Sequence, residues 1–175
     1  ILDRVSAKDP SFQKKWLLHT LEEPEITGSV VDTEVAGHIL SYNGDTVKIT
    51  KDNGRLFHKV LLPTSYKIRK VGGSGYEFWR DDSQQNYAAN PTRVNPARPL
   101  DPPIDGWEMG KWRYEVWPTV PQNDDLFLNV LEPKDSTTST MVPNQRIDAS
   151  SGNMVGVLIQ GPTTPYIVMF SKTET

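Results

Sequence analysis

The 175-residue chain has no cysteine. That excludes disulfide staples and thiolate metal sites. Histidine is scarce. His19, His38 and His58 lie far apart with no i, i+4 pair, so no zinc-binding spacing is present. They read as strand histidines paired to backbone or facing solvent, with His19 as the best exception because it closes the phrase Trp16-Leu17-Leu18-His19. An excess of either charge is missing too. Nineteen Lys and Arg stand against 22 Asp and Glu, for a net charge of -3, which gives no basic face for nucleic acid. No apolar run approaches the length of a membrane span, and no secretory leader is visible. The opening Ile1-Leu2-Asp3-Arg4-Val5 reads as a strand already under way, so Ile1 is expected to be an artificial boundary within a longer polypeptide. Helix signals are nearly absent. Asp9-Pro10-Ser11-Phe12-Gln13 can form one helical turn, with Asp9 as N-cap and Pro10 at the first position.

What the chain does have is a period of two. In Lys111-Trp112-Arg113-Tyr114-Glu115-Val116, the residues Trp112, Tyr114 and Val116 share one face and the charged residues share the other. This predicts a strand with one buried side. Leu126 to Leu131 and Met154 to Ile159 read as strands buried more evenly, and Tyr166-Ile167-Val168-Met169-Phe170 is β-branched and aromatic behind Pro165. Asn43-Gly44 and Asn53-Gly54 tolerate positive φ and predict two tight hairpins, hence a three-strand meander from about Ile39 to Leu62. From Arg80 to Asp105 there is no periodicity, and Pro91, Pro96, Pro99, Pro102 and Pro103 crowd the stretch. Long loops of this kind are usually functional or mobile. Hydrophobic residues make up 36% and charged residues 23%, a globular balance. At this length a domain buries about 70% of its unfolded surface. The reading is an all-β chain: one antiparallel β-sandwich domain over residues 1–175, with a long Pro-rich loop at about 80–105 and little helix.

Candidate chemistry is thin. Gly72-Gly73-Ser74-Gly75 lacks the Lys-Ser/Thr of a phosphate loop and reads as a turn that lets backbone pack closely. Asp81, Asp82, Asp101 and Asp105 share the long loop and could gather round calcium, but no EF-hand-like spacing is present and they read as solvated charge. No Gly-x-Ser-x-Gly elbow occurs. The aromatic residues are the stronger lead. Trp112 and Tyr114 read as core, whereas Trp79, Tyr87 and Trp107 flank or lie in the long loop, where ring faces can stack on sugars. Loop arginines can grip sulfate or carboxylate bidentately, which makes Arg80, Arg93 and Arg98 candidate polyanion contacts beside them.

The phrases Trp16-Leu17-Leu18-His19 with Glu23-Pro24-Glu25-Ile26, Gly54-Arg55-Leu56-Phe57 with Leu61-Leu62-Pro63, Gly72-Gly73-Ser74-Gly75-Tyr76-Glu77-Phe78-Trp79, Trp112-Arg113-Tyr114-Glu115-Val116 and Phe170-Ser171-Lys172-Thr173 follow one another along the chain. In that order they resemble the C-terminal β-rich part of heparinase II/III-like polysaccharide lyases, nearest the heparinase II branch. The resemblance extends to Asn86-Tyr87, Arg146-Ile147-Asp148 and Val155-Gly156-Val157. It implies a periplasmic or secreted parent enzyme in which an upstream α/α toroid joins an antiparallel β-sandwich region. Such enzymes cleave uronate-containing polysaccharide by β-elimination. Their catalytic His, Tyr and Asn or Glu lie in the toroid and the early sandwich, and none of those motifs matches a stretch here. Tyr66, Tyr76 and Tyr114 are chemically capable bases without the partnering Asn-His pair. The expectation is therefore a non-catalytic structural module, with no catalytic residue, no metal and no cofactor of its own. Its expected partners are the upstream toroid and, through the parent enzyme, an acidic polysaccharide. The alternatives are a carbohydrate-binding module, or a module that lends loop residues to the parent's substrate cleft.

Overall fold

The computed structural model describes residues 1–86 and 110–173. Within them all regular structure is β, and all pairing is antiparallel. A front sheet holds β2 (Trp16–Thr20), β11 (Trp112–Pro118), β8 (Tyr66–Gly72), β5 (Ile39–Tyr42) and β4 (Val30–Val35), in that order. A middle sheet holds β1 (Leu2–Ser6), β12 (Asp124–Asp135), β7 (Gly54–Leu62), β6 (Thr46–Lys51) and β3 (Glu25–Ile26). These two five-stranded sheets make the expected sandwich. A back sheet of β13 (Asn144–Asp148), β14 (Met154–Gln160) and β15 (Pro165–Ser171) adds a layer that the sequence reading did not anticipate. A short ribbon, β9 (Trp79–Arg80) with β10 (Gln85–Asn86), extends into the stretch read as structureless, so residues 80–86 are not without regular structure.

Alternation along the strands builds two cores. Between the front and middle sheets lie Val47, Ile49, Val60, Ile68, Tyr114, Val116 and Phe127, with Trp16, Leu18, Ile26, Leu56 and Tyr66 packed round them. Between the middle and back sheets lie Leu62, Leu128 and Val155, with Leu2, Leu61, Leu126 and Phe170. Phe127 and Leu128 are adjacent in β12 and face opposite cores, as a period of two requires. The register of β12 against β7 shifts at Leu128/Asn129, which pairs Asn129 with Val60 and Leu128 with Leu62. This bulge lets β7 turn Val60 to one core and Leu61 with Leu62 to the other.

The expected meander is only half present. The β6–β7 hairpin forms, but its turn residues are Asp52 and Asn53. Asp52 takes the positive φ of 51°, and Gly54 pairs with Lys51 as the first residue of β7. Asn43-Gly44 is not a hairpin. Tyr42 pairs with Ile68 in the front sheet while Thr46 pairs with Lys59 in the middle sheet, so the chain changes layer there. The reason is a second crossing at the same corner, from β3 to β4 through Thr27-Gly28-Ser29. The Ser29 N–H donates to Asn43 Oδ1 at 2.8 Å, and the Asn43 N–H donates to the Ser29 carbonyl at 3.2 Å. Gly44 lies so close to the Thr27 carbonyl that a Cβ has no room. An Asn-Gly pair selected for close approach between two crossing strands looks, in sequence, like one selected for a hairpin.

The helical turn near Asp9 is a single turn without helix. Asp9 Oδ1 accepts from the Ser11 N–H at 2.8 Å and from the Ser11 hydroxyl at 2.7 Å, and the Phe12 N–H donates to the Asp9 carbonyl.

Candidate functional site

The outer face of the front sheet holds the most concentrated chemistry in the described residues. It was expected to be the solvated side of β11. Instead Arg113 and Glu115 are buried on it, together with Arg69 of β8. Pairing brings this about: Glu115 sits opposite Arg69 on one side and Leu17 on the other, and Arg113 sits opposite His19. The β9–β10 ribbon is tied to these residues, since Arg113 donates to the Trp79 carbonyl and Arg69 pairs with Asp81 just after it.

Arg69 is the hub and only 2% exposed. Its Nε and Nη2 donate to the two oxygens of Glu34, both at 2.7 Å. Nη2 also donates to Asp81 Oδ1 at 2.9 Å, Nη1 to Asp81 Oδ2 at 3.2 Å, and Nη1 to Glu115 Oε2 at 3.4 Å. Glu115, 1% exposed, accepts from Arg113 Nε at 2.6 Å, from the Trp117 indole N–H at 2.7 Å and from Lys15 Nζ at 3.2 Å. Arg113 Nη1 donates to the Trp79 carbonyl at 2.8 Å and so ties down the ribbon. The Trp117 ring lies under three cations, with Lys15, Lys67 and Arg69 each within 5.0–5.3 Å of its centroid. Lys15, Arg69 and Arg113 thus interlock with Glu34, Asp81 and Glu115 in equal numbers.

The electrostatics follow from this pairing. Burial pushes the Glu115 carboxyl up, but the Arg113 hydrogen bond and the charges of Arg113, Lys15 and Arg69 outweigh it and hold the group below its ordinary range. Asp81 behaves alike: burial raises it, while the bond and charge of Arg69 with Lys15 and Arg113 bring it down. For Arg69, burial works against the charged form, and Glu34, Asp81 and Glu115 more than restore it. Glu115, Asp81 and Arg69 are thus ionised at neutral pH, and each is committed to the others.

Beside the network runs an open cleft of about 560 Å³, lined by Leu17, His19, Phe78, Trp79, Arg80 and Asp82 together with Lys15, Asp81, Arg113 and Glu115. Two sequence-predicted contacts, Trp79 and Arg80, meet here. Trp79 is half-buried, with its ring 4.8 Å from Tyr76. Arg80 is exposed and pairs with Asp82, its Nε donating at 3.0 Å. Tyr87, Arg93, Arg98 and Trp107 lie outside the described residues, as do Asp101 and Asp105. Of the four candidate loop carboxylates, Asp81 faces Arg69 and Asp82 faces Arg80. Among the described residues no group of three or more His, Asp or Glu is arranged to hold a metal ion. Gly72 and Gly73 do what the turn reading required: a Cβ on Gly72 would meet the Lys111 carbonyl at 2.5 Å and the Trp112 Cα at 2.7 Å.

The histidines divide. His19 is exposed at the cleft, and His38 lies with Nδ1 3.1 Å from the Gly72 carbonyl, stacked on Tyr76 at 4.4 Å. His58 departs from the expectation of backbone or solvent. It is fully buried between the front and middle sheets. The Tyr114 hydroxyl donates to its Nδ1 at 2.8 Å, and its Nε2–H donates to Asn129 Oδ1 at 2.8 Å. Trp16 covers it at 4.7 Å. Burial pushes His58 down to about 4, against the opposing hydrogen bond to Asn129. Of the three tyrosines capable of acting as bases, burial raises Tyr114 far above its ordinary range and raises Tyr66, with help from Asp45, to about 12. The network and the buried histidine both escaped the sequence reading. The available signal was a single acidic residue, Glu115, on the otherwise basic polar face of β11, where it pairs with Arg69 of β8.

No family model matches the chain. No curated protein matches it.

Proposed function

We propose that this chain is a non-catalytic structural β-sandwich module of a heparinase II/III-like polysaccharide lyase. The catalytic residues of that enzyme would sit in an upstream toroid of the same polypeptide, in the periplasm or outside the cell. The observation that carries the reading is the closed charge network on the outer face of the front sheet. A β-elimination site needs a cation or hydrogen-bond donor left over for the uronate carboxylate, and a base that can reach the C5 proton. Here Lys15, Arg69 and Arg113 are spent on Glu34, Asp81 and Glu115. Tyr114 and His58 are sealed in the core against each other. What remains is a rigid sheet face that holds an adjoining segment in place, the role a scaffold serves beside an active site.

Two measurements test this. The chain is incubated with heparin, heparan sulfate and alginate, and absorbance is followed at the unsaturated-uronate band. A flat trace is expected, and turnover by this chain alone overturns the reading. The parent polypeptide is then compared with and without residues 1–175. Loss of thermal stability in the remaining part is expected, and unchanged stability counts against a structural role.

One observation favours a second reading, in which the module lends contacts to the substrate cleft. Trp79 and Arg80 both line the same cleft, and Asn86 pairs with Trp79 beside it. In this reading Trp79 and Trp107 would stack on sugar rings, and Arg80, Tyr87, Arg93 and Arg98 would meet acidic groups. Isothermal titration with heparin and alginate fragments tests it. Binding that is lost in Trp79→Ala supports the reading, and absence of heat removes it.

A further inference from the structure

β15 combines exposed apolar surface with a free sheet edge. It is the last strand of the back sheet and, among the described residues, pairs only with β14. Tyr166, Ile167 and Val168 are 58%, 63% and 42% exposed, three successive large apolar side chains. No residue from Pro165 to Ser171 is charged. Sheets normally blunt such edges with charges, bulges or shortness, and the other edges of the sheets do so in their own ways. β13 carries Arg146 and Asp148, and β1 carries Asp3 and Arg4. β4 carries Asp32 and Glu34 and is broken by two register shifts. β3 is two residues long, and β2 shows one exposed apolar residue, Leu17, beside an exposed His19. The pairing of β15 with β14 runs without a shift.

We infer that β15 is the dimerisation strand of this chain, pairing antiparallel with β15 of a second copy about a two-fold axis at Val168. The backbone fixes the register. The Lys172 N–H donates to the Asn153 carbonyl, so by alternation Phe170, Val168 and Tyr166 turn their backbone groups toward β14. Ile167, Met169 and Ser171 turn theirs outward. Arg4 already donates to the Ser171 carbonyl at 2.9 Å, which ends the free edge there. The free donors and acceptors of Ile167 and Met169 then match those of Met169 and Ile167 in a second copy. In that register Tyr166 faces Phe170 of the other copy, an aromatic pair, and Val168 faces itself. No charge meets a like charge, because the strand has none. The two back sheets join into one of six strands, a common sheet size. An extended segment of another protein could meet the outward groups of β15, but nothing on β15 selects one. The strand's own sequence is complementary to itself in this register.

The absence of cysteine makes the test clean. Residues opposite each other in a non-hydrogen-bonded antiparallel pair lie about 4.5 Å apart at Cα, within disulfide range. Val168→Cys is therefore expected to cross-link to a covalent dimer on mild oxidation, and Ile167→Cys and Tyr166→Cys are not. Light scattering of the unmodified chain over a concentration series is expected to reach twice the 19.7 kDa chain mass. Ile167→Lys is expected to return it to one chain mass with its circular dichroism unchanged, because that side chain packs on nothing essential in the monomer. Val31→Lys, an equally exposed site on β4, is expected to leave the dimer intact. A chain that stays monomeric throughout overturns the inference. So does a dimer that survives Ile167→Lys, or one that cross-links at Ile167 or Tyr166 rather than at Val168.

Discussion

Protonating His58 should loosen the whole sandwich, and the amount can be worked out. In the folded chain the imidazole lies between Tyr114 and Asn129 with no exposure, and burial lowers it from an ordinary 6.5 to about 4. The folded state therefore resists a proton that the unfolded state accepts. For a group depressed in this way, stability is greatest above the unfolded value and falls as pH drops from about 6.5 toward 4. Each unit is worth about 1.4 kcal/mol, so the full effect is about 3 kcal/mol. At pH 5 the unfolded imidazole is almost fully protonated and the folded one barely so. The loss there, relative to pH 7.5, is about 2 kcal/mol. The depressed carboxylates Asp81 and Glu115 act in a separate window. Their contribution is present above the unfolded carboxylate range and disappears as pH falls below about 4.5.

The assay is urea unfolding at pH 7.5 and pH 5, in the unmodified chain and in His58→Gln. A glutamine amide can accept from the Tyr114 hydroxyl and donate to Asn129 Oδ1 without carrying a proton that titrates. The unmodified chain is expected to lose about 2 kcal/mol across the interval. With a urea slope of about 2 kcal/mol per molar, the midpoint moves down by about 1 M. His58→Gln is expected to lose about 2 kcal/mol less than the unmodified chain over the same interval. Equal losses in the two proteins refute the reasoning, because they would show that His58 takes up its proton as readily folded as unfolded.

Three further outcomes follow from the same structure. Arg69→Met leaves Glu34, Asp81 and the buried Glu115 without their shared cation and should cost about 3 kcal/mol in chemical denaturation, whereas Asp81→Asn, at a carboxylate more than a third exposed, should cost about 1 kcal/mol. The reverse order would mean that Arg69 is not the hub. Gly72→Ala forces a Cβ against the Lys111 carbonyl and the Trp112 backbone from a residue at φ 153°, and thermal unfolding should show a loss of about 1–3 kcal/mol, while Gly152→Ala, with open space around it, should lose less. Leu128→Ala empties the core between the middle and back sheets and should cost about 2–5 kcal/mol, with hydrogen exchange rising first in β14 and β15; exchange confined to the front sheet would contradict the three-layer arrangement.

The class of the fold was legible because alternation is a local property. Each strand read from period-two patterning is present: β11, β12, β14 and β15 fall where the apolar residues alternate or run together. The layering was not legible, because a strand's pattern says which residues are buried but not against which sheet. Phe127 and Leu128 look alike in sequence, and each lies in a different core. The crossover at Asn43-Gly44 was hidden for a related reason. Its signal was a local tolerance for close or left-handed backbone, and the partner that used it, Thr27-Gly28-Ser29, lies more than a dozen residues upstream.

The candidate site was hidden by the rule that made the strands visible. Reading Lys111, Arg113 and Glu115 as a solvated face assumes that charge stays in water. That holds for an unpaired charge, whose burial costs far more than one hydrogen bond returns. It fails when opposite charges arrive together on neighbouring strands at matched positions, as Arg69 and Glu115 do. Once Arg69 is fixed between Glu34 and Glu115, the Asp81 carboxylate is held in turn, and with it the ribbon that carries Trp79 and Arg80. Such a network adds little net stability compared with a greasy face of the same shape. What it adds is position, since a carboxylate gripped from several directions has one place to sit. The outer face of the front sheet therefore presents to the cleft a fixed set of paired charges around Trp79 and Arg80, with His19 as an exposed imidazole at its edge.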